Sequence, residues 1–399
     1  MHNFLWLIRE HVISLWDDCI MEKINIALVG CGGIANAHVE GYRDLYSRGL
    51  RVFELKALCD VSIDKAKSKA KAIMGFQDSK PTVYSDLDRM LSEESIDAVD
   101  LCLPHHIHHT VACQCLDEEL HVIIEKPLAI TMRAARSIIQ KAETSGKVLA
   151  IAENYRRTPR ERAVHWAVKE GLIGDPRMIL WMVARWGSKP WGWRENKLLA
   201  GGSWVFDGGV HWADVDRYQL GREAVEVFAM MHTFDSLKEG VKVTVDDMTM
   251  AMIRYEGDVY SQWLWTRATP AKMTRIHILY GSKGALSNDG LHLQKKETVE
   301  VKSMASLLGD MRANLEKEEL ERLFPAGSTN TFAIELYDFY TSIIERHKPE
   351  VDGVEGYKDM AIPLSFYESS VLDKPVKVKD VEDLRVEEYQ KEINDSLGI

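Results

Sequence analysis

The sequence predicts an α/β protein whose N-terminal part forms a doubly wound parallel sheet. Apolar runs alternate with helical segments between Ile24 and Ile151, and this alternation is typical of a parallel sheet with right-handed crossovers. A glycine-rich turn directly follows the first apolar run. The chain has 399 residues, more than one ordinary hydrophobic core accommodates, so its length indicates two domains.

The composition narrows the class of protein. A hydrophobic share of 46% and a charged share of 28% are typical of a soluble globular protein. The net charge of −11 argues against nucleic acid and anionic membranes as main partners, because both favour a basic surface. The six cysteines include no Cys-x-x-Cys pair. This pattern predicts neither a zinc site nor a redox motif, and it favours a reducing, cytoplasmic compartment.

We interpret residues 1–20 as an N-terminal extension, since Met21 stands just before the first predicted strand. The extension lacks the basic start and the clean apolar core of a signal peptide, and it is too short and too charged to span a membrane. A short amphipathic helix that packs on a partner subunit is the alternative. We place the boundary between the two predicted domains after residue 147.

The first predicted strand, Ile24–Val29, leads directly into the sequence Gly-Cys-Gly-Gly-Ile-Ala. In this G-x-G-x-x-A pattern Gly30 permits a tight turn, Gly32 lets the backbone approach a pyrophosphate, and Ala35 allows close helix packing. The N-terminus of the next helix offers free N–H groups and a positive dipole end to phosphates. The pattern predicts a dinucleotide site. Its cofactor-binding residues are Gly30, Gly32, Gly33, Ile34 and Ala35.

The second predicted strand, Phe53–Cys59, ends at Asp60. A carboxylate at this position accepts hydrogen bonds from the ribose hydroxyls of a dinucleotide and repels a 2′-phosphate. Residues 61–64 contain no arginine to hold such a phosphate. The sequence therefore favours NAD over NADP, and the alternative is that Asp60 merely caps a strand-to-helix loop.

A histidine cluster follows the predicted strand Ala98–Leu103. After Pro104 come His105, His106, His108 and His109. No acidic or thiol residue is spaced to complete a metal site with them, so we predict no metal. At the carboxyl end of a strand we expect Pro104, His105 and His108 to border the cofactor and the substrate. Alternatively, His108 or His109 begins the next helix.

Glu125-Lys126-Pro127 follows the apolar run His121–Ile124, which predicts another buried parallel strand. A lysine at the end of such a strand points to the crevice where a doubly wound sheet holds its ligand. A cation there can bind a substrate hydroxyl and stabilise an alkoxide as the carbon gives up hydride. We assign Lys126 to catalysis and substrate binding, and both Glu125 and Lys126 to cofactor contacts. A solvated surface lysine is the alternative.

These motifs, in this order, resemble the glucose–fructose oxidoreductase / inositol dehydrogenase / MocA family. The resemblance extends from about Lys23 to about residue 375. Further segments that support it are Asn154–Arg157, Glu170–Gly174, Trp193-Arg194, Gly201–Ser203, Asp207–His211 and Gly281–Gly284.

The resemblance implies a Rossmann domain at residues 21–147 that binds NAD. It implies a C-terminal α/β domain at residues 148–399, with a large, mostly antiparallel open sheet. The active site would lie between the domains. The exposed face of the sheet would build a homodimer or a homotetramer.

Asp207 and His211 are four residues apart, which on a helix places them on one face about one turn apart. In that geometry a carboxylate can orient an imidazole, and an imidazole can take a hydroxyl proton. The resemblance implies that His211 is the general base, Asp207 its partner, and Lys126 the group on the reacting oxygen. Tyr155 is an alternative acid–base residue, since some family members use a tyrosine. Another alternative is a helix-interior His211 that bonds Asp207 or Asp214 for structure alone.

Tryptophans are frequent in the segment that leads to Asp207. They are Trp186, Trp191, Trp193 and Trp204. Aromatic faces can cover the apolar C–H faces of pyranose rings, and Arg185, Lys189 and Arg194 can bond hydroxyls or a carboxylate. The predicted substrate-binding residues are Lys126, Asn154, Tyr155, Arg185, Trp193, Arg194, Asp207 and His211. The alternative is that the tryptophans fill the core between the domains.

The C-terminal segments carry weaker signals. The apolar residues of Phe332–Arg346 recur with the period of a helix. The charged segment 300–325 predicts a lid or a surface helix, and the charged tail Lys374–Ile399 is expected to wrap the first domain or a neighbour. Trp263 and Trp265 alternate on a predicted strand, which places both on one sheet face, in the core or in an oligomer interface.

The sequence thus predicts an NAD-dependent oxidoreductase that transfers hydride between a secondary hydroxyl of a sugar, polyol or glycoside and nicotinamide C4. One alternative is an NAD-dependent lyase or glycosidase-like enzyme, in which a transient ketone acidifies the neighbouring C–H and the cofactor is recycled. Another alternative is a sensor of the same fold that binds the cofactor without chemistry. The expected partner is a small carbohydrate or polyol.

Overall fold

The computed structural model describes residues 22–399, and the predicted extension of residues 1–20 lies outside them. A first sheet, the parallel sheet, begins the described chain. Its strands are β1 Ile24–Val29, β2 Phe53–Cys59, β3 Thr82–Tyr84, β4 Ala98–Leu101, β5 His121–Glu125 and β6 Leu149–Ala152. They lie in the order β3-β2-β1-β4-β5-β6. All neighbours run parallel, so the predicted doubly wound sheet is confirmed.

Helices connect these strands. They are α1 Ala35–Ser47, α2 Ile63–Ile73, α3 Leu87–Glu93, α4 His108–Asp117 and α5 Met132–Ser145, with a 3-10 turn at His105–Ile107. Local chemistry sets the limits of α5. The Thr131 hydroxyl accepts a hydrogen bond from the Ala134 N–H at its start, and Gly146 ends it in the left-handed region at φ +67°.

The strand order determines where a ligand crevice opens. β1 has β2 on one side and β4 on the other. The connections that follow β1 and β4 therefore run to opposite sides of the sheet, and a crevice opens between them at the carboxyl ends of these strands. Gly30 follows β1, Asp60 follows β2, and Lys126 follows β5. The three predicted functional positions therefore share one edge of the parallel sheet.

A second sheet, the mixed sheet, is formed by later residues. Its strands are β7 Pro176–Ala184, β8 Ala224–His232, β11 Met248–Tyr255, β12 Val259–Thr266, β13 Thr274–Gly281, β14 Gly284–Ser287, β15 Gly290–Gln294, β16 Val299–Ser303 and β17 Val376–Lys377; β9 Leu237–Lys238 and β10 Val241–Lys242 form a separate hairpin. The order is β16-β15-β14-β13-β7-β12-β11-β8-β17. Within the described residues β7 and β12 pair in parallel and the other neighbours pair antiparallel. The predicted large, mostly antiparallel sheet is confirmed.

Ten helices belong to this part of the described chain. They are α6 Pro159–Lys169, α7 Lys197–Ala200, α8 Trp204–Asp207, α9 Gly209–Leu220, α10 Met304–Asn314, α11 Lys317–Leu323, α12 Thr331–Ile344, α13 Gly353–Leu372, α14 Val378–Glu382 and α15 Lys391–Leu397, with 3-10 turns at Gly192–Glu195 and Pro325–Gly327. The longest of them, α13, packs on β8 of the mixed sheet. No helix between residues 22 and 399 is long and apolar enough to cross a membrane.

Large aromatic side chains fill the space between the mixed sheet and its helices. Trp181, Trp263 and Trp265 are at most 2% exposed. The ring of Trp181 lies 4.2 Å from that of Trp212 on α9, and the ring of Trp263 lies 5.4 Å from that of Phe366 on α13. The prediction that Trp263 and Trp265 share a sheet face is therefore confirmed, and that face belongs to the core.

The chain returns to the parallel sheet near its C-terminus. The helix predicted from Phe332–Arg346 is α12, and its Leu336 and Phe339 join the core formed by Ile26 of β1 and Tyr42 of α1. The segment 300–325 contains the end of β16 followed by α10 and α11. The domain limits of 21–147 and 148–399 stay a prediction.

The charged tail begins as β17 of the mixed sheet and then contacts helix α5 beside the parallel sheet. The Arg133 guanidinium donates two hydrogen bonds to Glu387, at 2.7 and 2.8 Å. The Met132 N–H at the start of α5 donates to the Gln390 side-chain oxygen at 2.7 Å. These contacts join the first turn of α5 to residues more than 250 positions later in the chain.

Candidate active site

The turn after β1 depends on a glycine. Gly30 has a φ of +90°, and a Cβ at this position would lie 2.2 Å from the Cys102 carbonyl oxygen. Its N–H donates to the Cys59 carbonyl at the end of β2, at 2.7 Å. The backbone of β1 therefore passes close to the ends of both neighbouring strands, where no side chain fits.

Beyond this turn the backbone faces open space. No described atom lies within 4 Å of a Cβ built on Gly32 or Gly33. Helix α1 begins at Ala35 with no side-chain cap and no acidic residue in its first turn. The Asn36 and Ala37 N–H groups donate to the carbonyls of Gly33 and Ile34, and the positive end of the helix dipole is open to an anion. Ile34 is 40% exposed, whereas Ala35 is fully buried. These residues fit the pyrophosphate of a dinucleotide.

Asp60 is held at the end of β2 by the backbone. One carboxylate oxygen accepts a hydrogen bond from the Cys31 N–H and the other from the Ser62 N–H, both at 2.8 Å. Each carboxylate oxygen has a further lone pair for a ribose hydroxyl. Asp60 thus bridges the glycine turn and the β2–α2 loop, as expected for a residue that positions the adenosine ribose.

The histidine cluster divides into two environments. His105 is 3% exposed, and its Nε2 lies 3.2 Å from an Asp207 carboxylate oxygen. Burial lowers the pKa of His105 against the opposing effect of Asp207, so its ring is a neutral partner of that carboxylate. His105 therefore faces the catalytic side of the crevice.

His108 begins α4, which was the alternative considered for it. Its two ring nitrogens lie 2.9 Å from the carbonyls of Pro127 and Leu103. Burial lowers the pKa of His108 to about 4, so the ring is neutral and its single N–H serves one of the two carbonyls. His108 is therefore linked to the Glu125-Lys126-Pro127 segment through the Pro127 carbonyl, and its predicted place beside the cofactor stays a prediction.

Lys126 lies in the crevice at the end of β5. Its side chain is 16% exposed, so the alternative of a solvated surface lysine is wrong. Its ammonium donates to the Asp207 carbonyl at 3.0 Å and to the Asp207 carboxylate at 3.3 Å. Burial lowers the pKa of Lys126, but the negative charges of Asp207, Glu125 and Glu153 outweigh this and raise it. Lys126 is consequently a fixed cation at neutral pH.

The Asp207 carboxylate contacts two cations and one histidine of the site. They are Lys126, Arg194, whose Nε lies 3.2 Å away, and His105. Burial raises the pKa of this carboxyl, but Lys126, His105 and Arg194 together hold it well below its ordinary value. Asp207 thus remains ionised, and it fixes the position of the Lys126 ammonium.

The predicted pairing of Asp207 with His211 is not formed. Helix α8 ends at Asp207 and α9 begins at Gly209, so the two residues do not share a continuous helical face. The His211 Nδ1 instead lies 2.7 and 2.8 Å from the carboxylate oxygens of Glu153. The interruption between the two helices is at Gly208, and glycine is unfavourable in a helix interior.

Glu153 was missed by the sequence reasoning. It follows β6 directly and is 2% exposed. The sequence did contain a signal for it, since Glu153 is the first charged residue after the apolar run of β6. Lys126 was identified from a similar position, at the end of β5. Tyr155, two residues later, stacks on His211 with ring centroids 3.8 Å apart and planes at 4°.

Glu125 points inward, away from the crevice. One of its oxygens lies 3.1 Å from Nε2 of His38, whose Nδ1 lies 2.9 Å from Asp100. Burial lowers the pKa of His38, but Asp100 outweighs burial and the pKa is raised well above its ordinary value. The other Glu125 oxygen accepts from the Lys126 N–H at 3.1 Å. Glu125 thus anchors the Lys126 backbone, and its predicted role as a cofactor contact stays a prediction.

An aromatic and cationic wall borders Asp207. The Arg194 guanidinium lies 4.2 Å from the ring of Trp193 and 4.9 Å from that of Trp191. Trp193 also contacts His105, with centroids 4.6 Å apart. Arg185 stacks on Trp204 at 4.0 Å. Trp193 and Arg194 are therefore joined to the catalytic groups by direct contacts.

Two other tryptophans and Asn154 have different positions. Trp186 is 59% exposed, so it does not fill a core between the sheets. Trp204 contacts Trp265 of the mixed sheet, with centroids 4.8 Å apart. The Asn154 amide donates to the Thr331 hydroxyl at 3.3 Å, which links the segment after β6 to the start of α12.

The fold and the site together define an NAD-binding oxidoreductase. One edge of the parallel sheet carries an acidic residue at a strand end and a glycine turn that is open to a pyrophosphate. A buried lysine and a histidine lie at the same edge. Residues 24–153 match the model of an oxidoreductase family with an NAD-binding Rossmann fold, and residues 162–287 match the GFO/IDH/MocA C-terminal domain. The chain belongs to the GFO/IDH/MocA oxidoreductase family. The predicted family and the NAD cofactor are confirmed.

Curated relatives of this chain act on carbohydrates or polyols, according to their names. Levoglucosan dehydrogenase of Pseudarthrobacter phenanthrenivorans is 26% identical over 400 aligned positions, which cover 90% of this chain and all of the relative. The 1,5-anhydro-D-fructose reductase of Ensifer adhaerens is 25% identical over 296 residues, or 74% of this chain and 84% of the relative. Myo-inositol 2-dehydrogenase of Thermotoga maritima is 24% identical, covering 89% and 98%.

Solved structures share the fold. A levoglucosan dehydrogenase in complex with NADH and levoglucosan superposes with a TM-score of 0.74 at 23% identity, covering 90% of this chain and 100% of that one. An oxidoreductase domain protein from Kribbella flavida gives a TM-score of 0.76 at 23% identity, with the same coverage. The arrangement of a parallel sheet followed by a large mixed sheet is thus common to these proteins.

Proposed function

We propose that this protein is an NAD-dependent dehydrogenase that oxidises a secondary hydroxyl of a sugar, polyol or glycoside, or reduces the matching ketone. The observation that carries the proposal is the buried Lys126 ammonium, which Asp207 holds at the carboxyl edge of the parallel sheet. At the same edge, directly after β6, Glu153 contacts the His211 ring. A fixed cation and a base in one crevice are the groups that alcohol oxidation requires.

In the proposed reaction each residue acts on one atom of the substrate. Lys126 donates a hydrogen bond to the reacting oxygen and stabilises its negative charge. His211 takes the hydroxyl proton on Nε2, because Nδ1 is already bonded to Glu153. Bound NAD supplies the hydride acceptor. Asp207 keeps the ammonium in place and contributes the negative charge that balances it.

The wall beside Asp207 supports a carbohydrate or polyol substrate. Trp193 offers an aromatic face for the C–H groups of a sugar ring, and Arg194 beside it offers N–H donors to hydroxyls. Arg185 lies against Trp204 with its pKa lowered by burial and by Arg267. We propose that Arg185 and Arg194 bind substrate oxygens, and that Tyr155 and Asn154 border the same site.

The first test is NADH absorbance after the purified enzyme and NAD are mixed with sugars, inositols, glycosides and sugar acids. Stoichiometric NADH with one compound class supports the dehydrogenase and identifies its substrate class. Consumption of a glycoside without NADH accumulation would instead establish cofactor recycling. Tight NAD binding with no turnover on any compound would favour the sensor.

We also propose a cytoplasmic homodimer or homotetramer that assembles through the open face of the mixed sheet. Met230, Met250 and Met252 on this face are 46–64% exposed. The register places Met250 opposite Met230 and Met252 opposite Phe228, so the exposed side chains form one continuous apolar patch. Cys31, Cys59, Cys102, Cys113 and Cys115 are free thiols, which suits a reducing compartment.

Light scattering tests the assembly. Met250→Glu should reduce the measured mass to that of a monomer, because a buried carboxylate without a partner disfavours the interface. Met74→Glu is the matched control, since Met74 is 52% exposed and lies outside the mixed sheet. A monomeric wild-type protein would contradict the proposed assembly, and cell fractionation tests the location.

A further inference from the structure

Glu153 is a charged group in direct contact with the proposed base. Its oxygens lie 2.7 and 2.8 Å from the His211 Nδ1, and the Tyr155 backbone N–H donates to the same carboxylate at 2.8 Å. Burial raises the pKa of Glu153, but the charge and hydrogen bond of His211 outweigh burial and lower it below its ordinary value. Glu153 is therefore an ionised acceptor at neutral pH.

An ionised carboxylate accepts hydrogen bonds and donates none. The proton between Glu153 and His211 consequently sits on Nδ1. A neutral imidazole carries a single N–H, so the Nε2 lone pair stays free, and no described residue is hydrogen-bonded to Nε2. We infer that Glu153 is a positioning residue, which fixes the Nδ1–H tautomer of His211 and leaves Nε2 to take the substrate hydroxyl proton. This inference rests on the proposed dehydrogenase function.

The same short segment also sets the plane of the ring. Tyr155 stacks face to face on His211, with planes at 4° and centroids 3.8 Å apart. Glu153 bonds the ring at its edge, whereas Tyr155 packs on its face. Both contacts also stabilise the imidazolium that forms when Nε2 accepts the hydroxyl proton; bound NAD would accept the hydride from the carbon that carries this hydroxyl.

The other charges around this pair come from several elements. They are Glu125 and Lys126 after β5, Arg156 after β6, Asp207 and Asp214 on either side of His211 in the chain, and Glu335 on α12. Lys126 pairs with Asp207, and Arg156 with Asp214. Glu125 contacts the protonated His38, and burial raises the pKa of Glu335 well above its ordinary value, so it is neutral. Glu153 is therefore the ionised carboxylate in direct contact with His211.

The test compares wild type with Glu153→Gln across pH. In the oxidation direction kcat/KM falls on the acid side as the catalytic base is protonated, so the loss of a carboxylate that stabilises the protonated base moves the acid limb to lower pH. Glu153→Gln should shift that limb downward by about 1–3 pH units, the effect of removing an opposite charge in contact. The plateau should fall roughly 10- to 100-fold, as when a carboxylate behind a functional histidine is lost.

Glu350→Gln is the matched control. Glu350 is a buried carboxylate that pairs with Arg157 and Arg162, so its variant should lower the melting temperature and leave the acid limb in place. An unshifted limb in Glu153→Gln, with NAD binding intact, would overturn the inference. A wild-type enzyme that oxidises no compound of the panel would overturn the proposed function instead.

A second measurement does not depend on turnover or on the stability of the variant. Protein labelled with 15N-histidine reports which ring nitrogen carries the proton, and the His211 signal is the one that disappears in His211→Asn. The expected result for wild type is a protonated Nδ1 and an unprotonated Nε2 at pH 8. The opposite tautomer would overturn the inference even if the enzyme is active.

Discussion

The two ends of the crevice are built in different ways. At the cofactor end the backbone forms most of the site. It contributes the turn at Gly30, the open positions at Gly32 and Gly33, and the start of α1. At the proposed catalytic end the groups are buried side chains, with Lys126 bonded to Asp207 and His211 to Glu153. Binding at the first end depends on space and dipoles, and reaction at the second depends on fixed charges.

This difference separates binding from turnover. A change at the catalytic end should alter turnover and leave NAD affinity nearly intact, because none of its side chains lines the glycine turn. A change at the cofactor end should do the reverse. Variants at each end therefore measure how independent the two functions are.

Lys126→Ala should have the largest effect. Loss of the ammonium removes the charge that stabilises the developing alkoxide, and kcat should fall by about 10³-fold, as when one preorganised donor of this kind is removed. NAD affinity, measured by fluorescence or calorimetry, should change little. Steady-state kinetics with the best substrate of the panel checks the first part.

Lys141→Ala is the control for Lys126→Ala. Lys141 pairs with Asp117 on the surface of α5, and its loss should leave both kcat and NAD affinity unchanged. If Lys126→Ala reduced NAD affinity by the same factor as kcat, binding and turnover would not be separable at the two ends of the crevice. That result would contradict the catalytic role proposed for Lys126.

Asp207→Asn should reduce stability in a pH-dependent way. The folded-state pKa of Asp207 is held well below its ordinary value by Lys126, His105 and Arg194 against the effect of burial. Its contribution is therefore present above the unfolded pKa of about 3.9 and is lost as the pH falls through the folded value. We expect a loss of about 1.5–3 kcal/mol at pH 7, typical of hydrogen bonds to charged groups.

Urea unfolding of wild type and Asp207→Asn between pH 7 and pH 3 measures that loss. The gap between the two proteins should begin to narrow below about pH 4, because the Asp207 carboxyl of the unfolded chain takes up a proton there while the folded carboxylate is still ionised. A gap that stays constant over this range would show that the charge of Asp207 does not contribute to stability.

Asp60→Ala should act at the cofactor end alone. Removal of the carboxylate takes away the acceptor for the ribose hydroxyls and the charge that repels a 2′-phosphate. NAD binding should weaken roughly tenfold, equivalent to about 1.4 kcal/mol, and the preference for NAD over NADP should fall. Titrations with both cofactors test this, and an unchanged ratio would remove Asp60 from the ribose site.

The two glycines of the turn provide the finest comparison. Gly32→Ala should reduce NAD affinity only a few-fold and leave the melting temperature unchanged, because the added Cβ enters open space next to the turn. Gly30→Ala should instead lower stability, because its Cβ would lie 2.2 Å from the Cys102 carbonyl. Equal melting temperatures for the two variants would contradict the described turn.

The cofactor end could be predicted from sequence because its parts are close together in the chain. The strand Ile24–Val29, the glycine turn and the buried Ala35 follow one another, and each position has a local steric or electrostatic reason. The predicted strand Phe53–Cys59 also matches the structure residue for residue.

The partners at the catalytic end could not be predicted in the same way. Lys126 meets Asp207 across 81 residues, and His211 meets Glu153 across 58. The four-residue spacing indicated an Asp207–His211 pair, but the helix break at Gly208 separated them. Whether a strand-end side chain faces the crevice, as Lys126 does, or the interior, as Glu125 does, depends on packing that the sequence does not show locally.

Helix α12 has a consequence for how the chain is made. Its Ala333 backbone packs against Gly41 of α1, where a Cβ would lie only 3.0 Å away, and its Tyr340 contacts Phe53 of β2. During synthesis all six parallel strands therefore leave the ribosome well before the helix that covers them. The nucleotide-binding half is not a detachable module: cut after residue 153, it would present an apolar surface to chaperones and to other nascent chains.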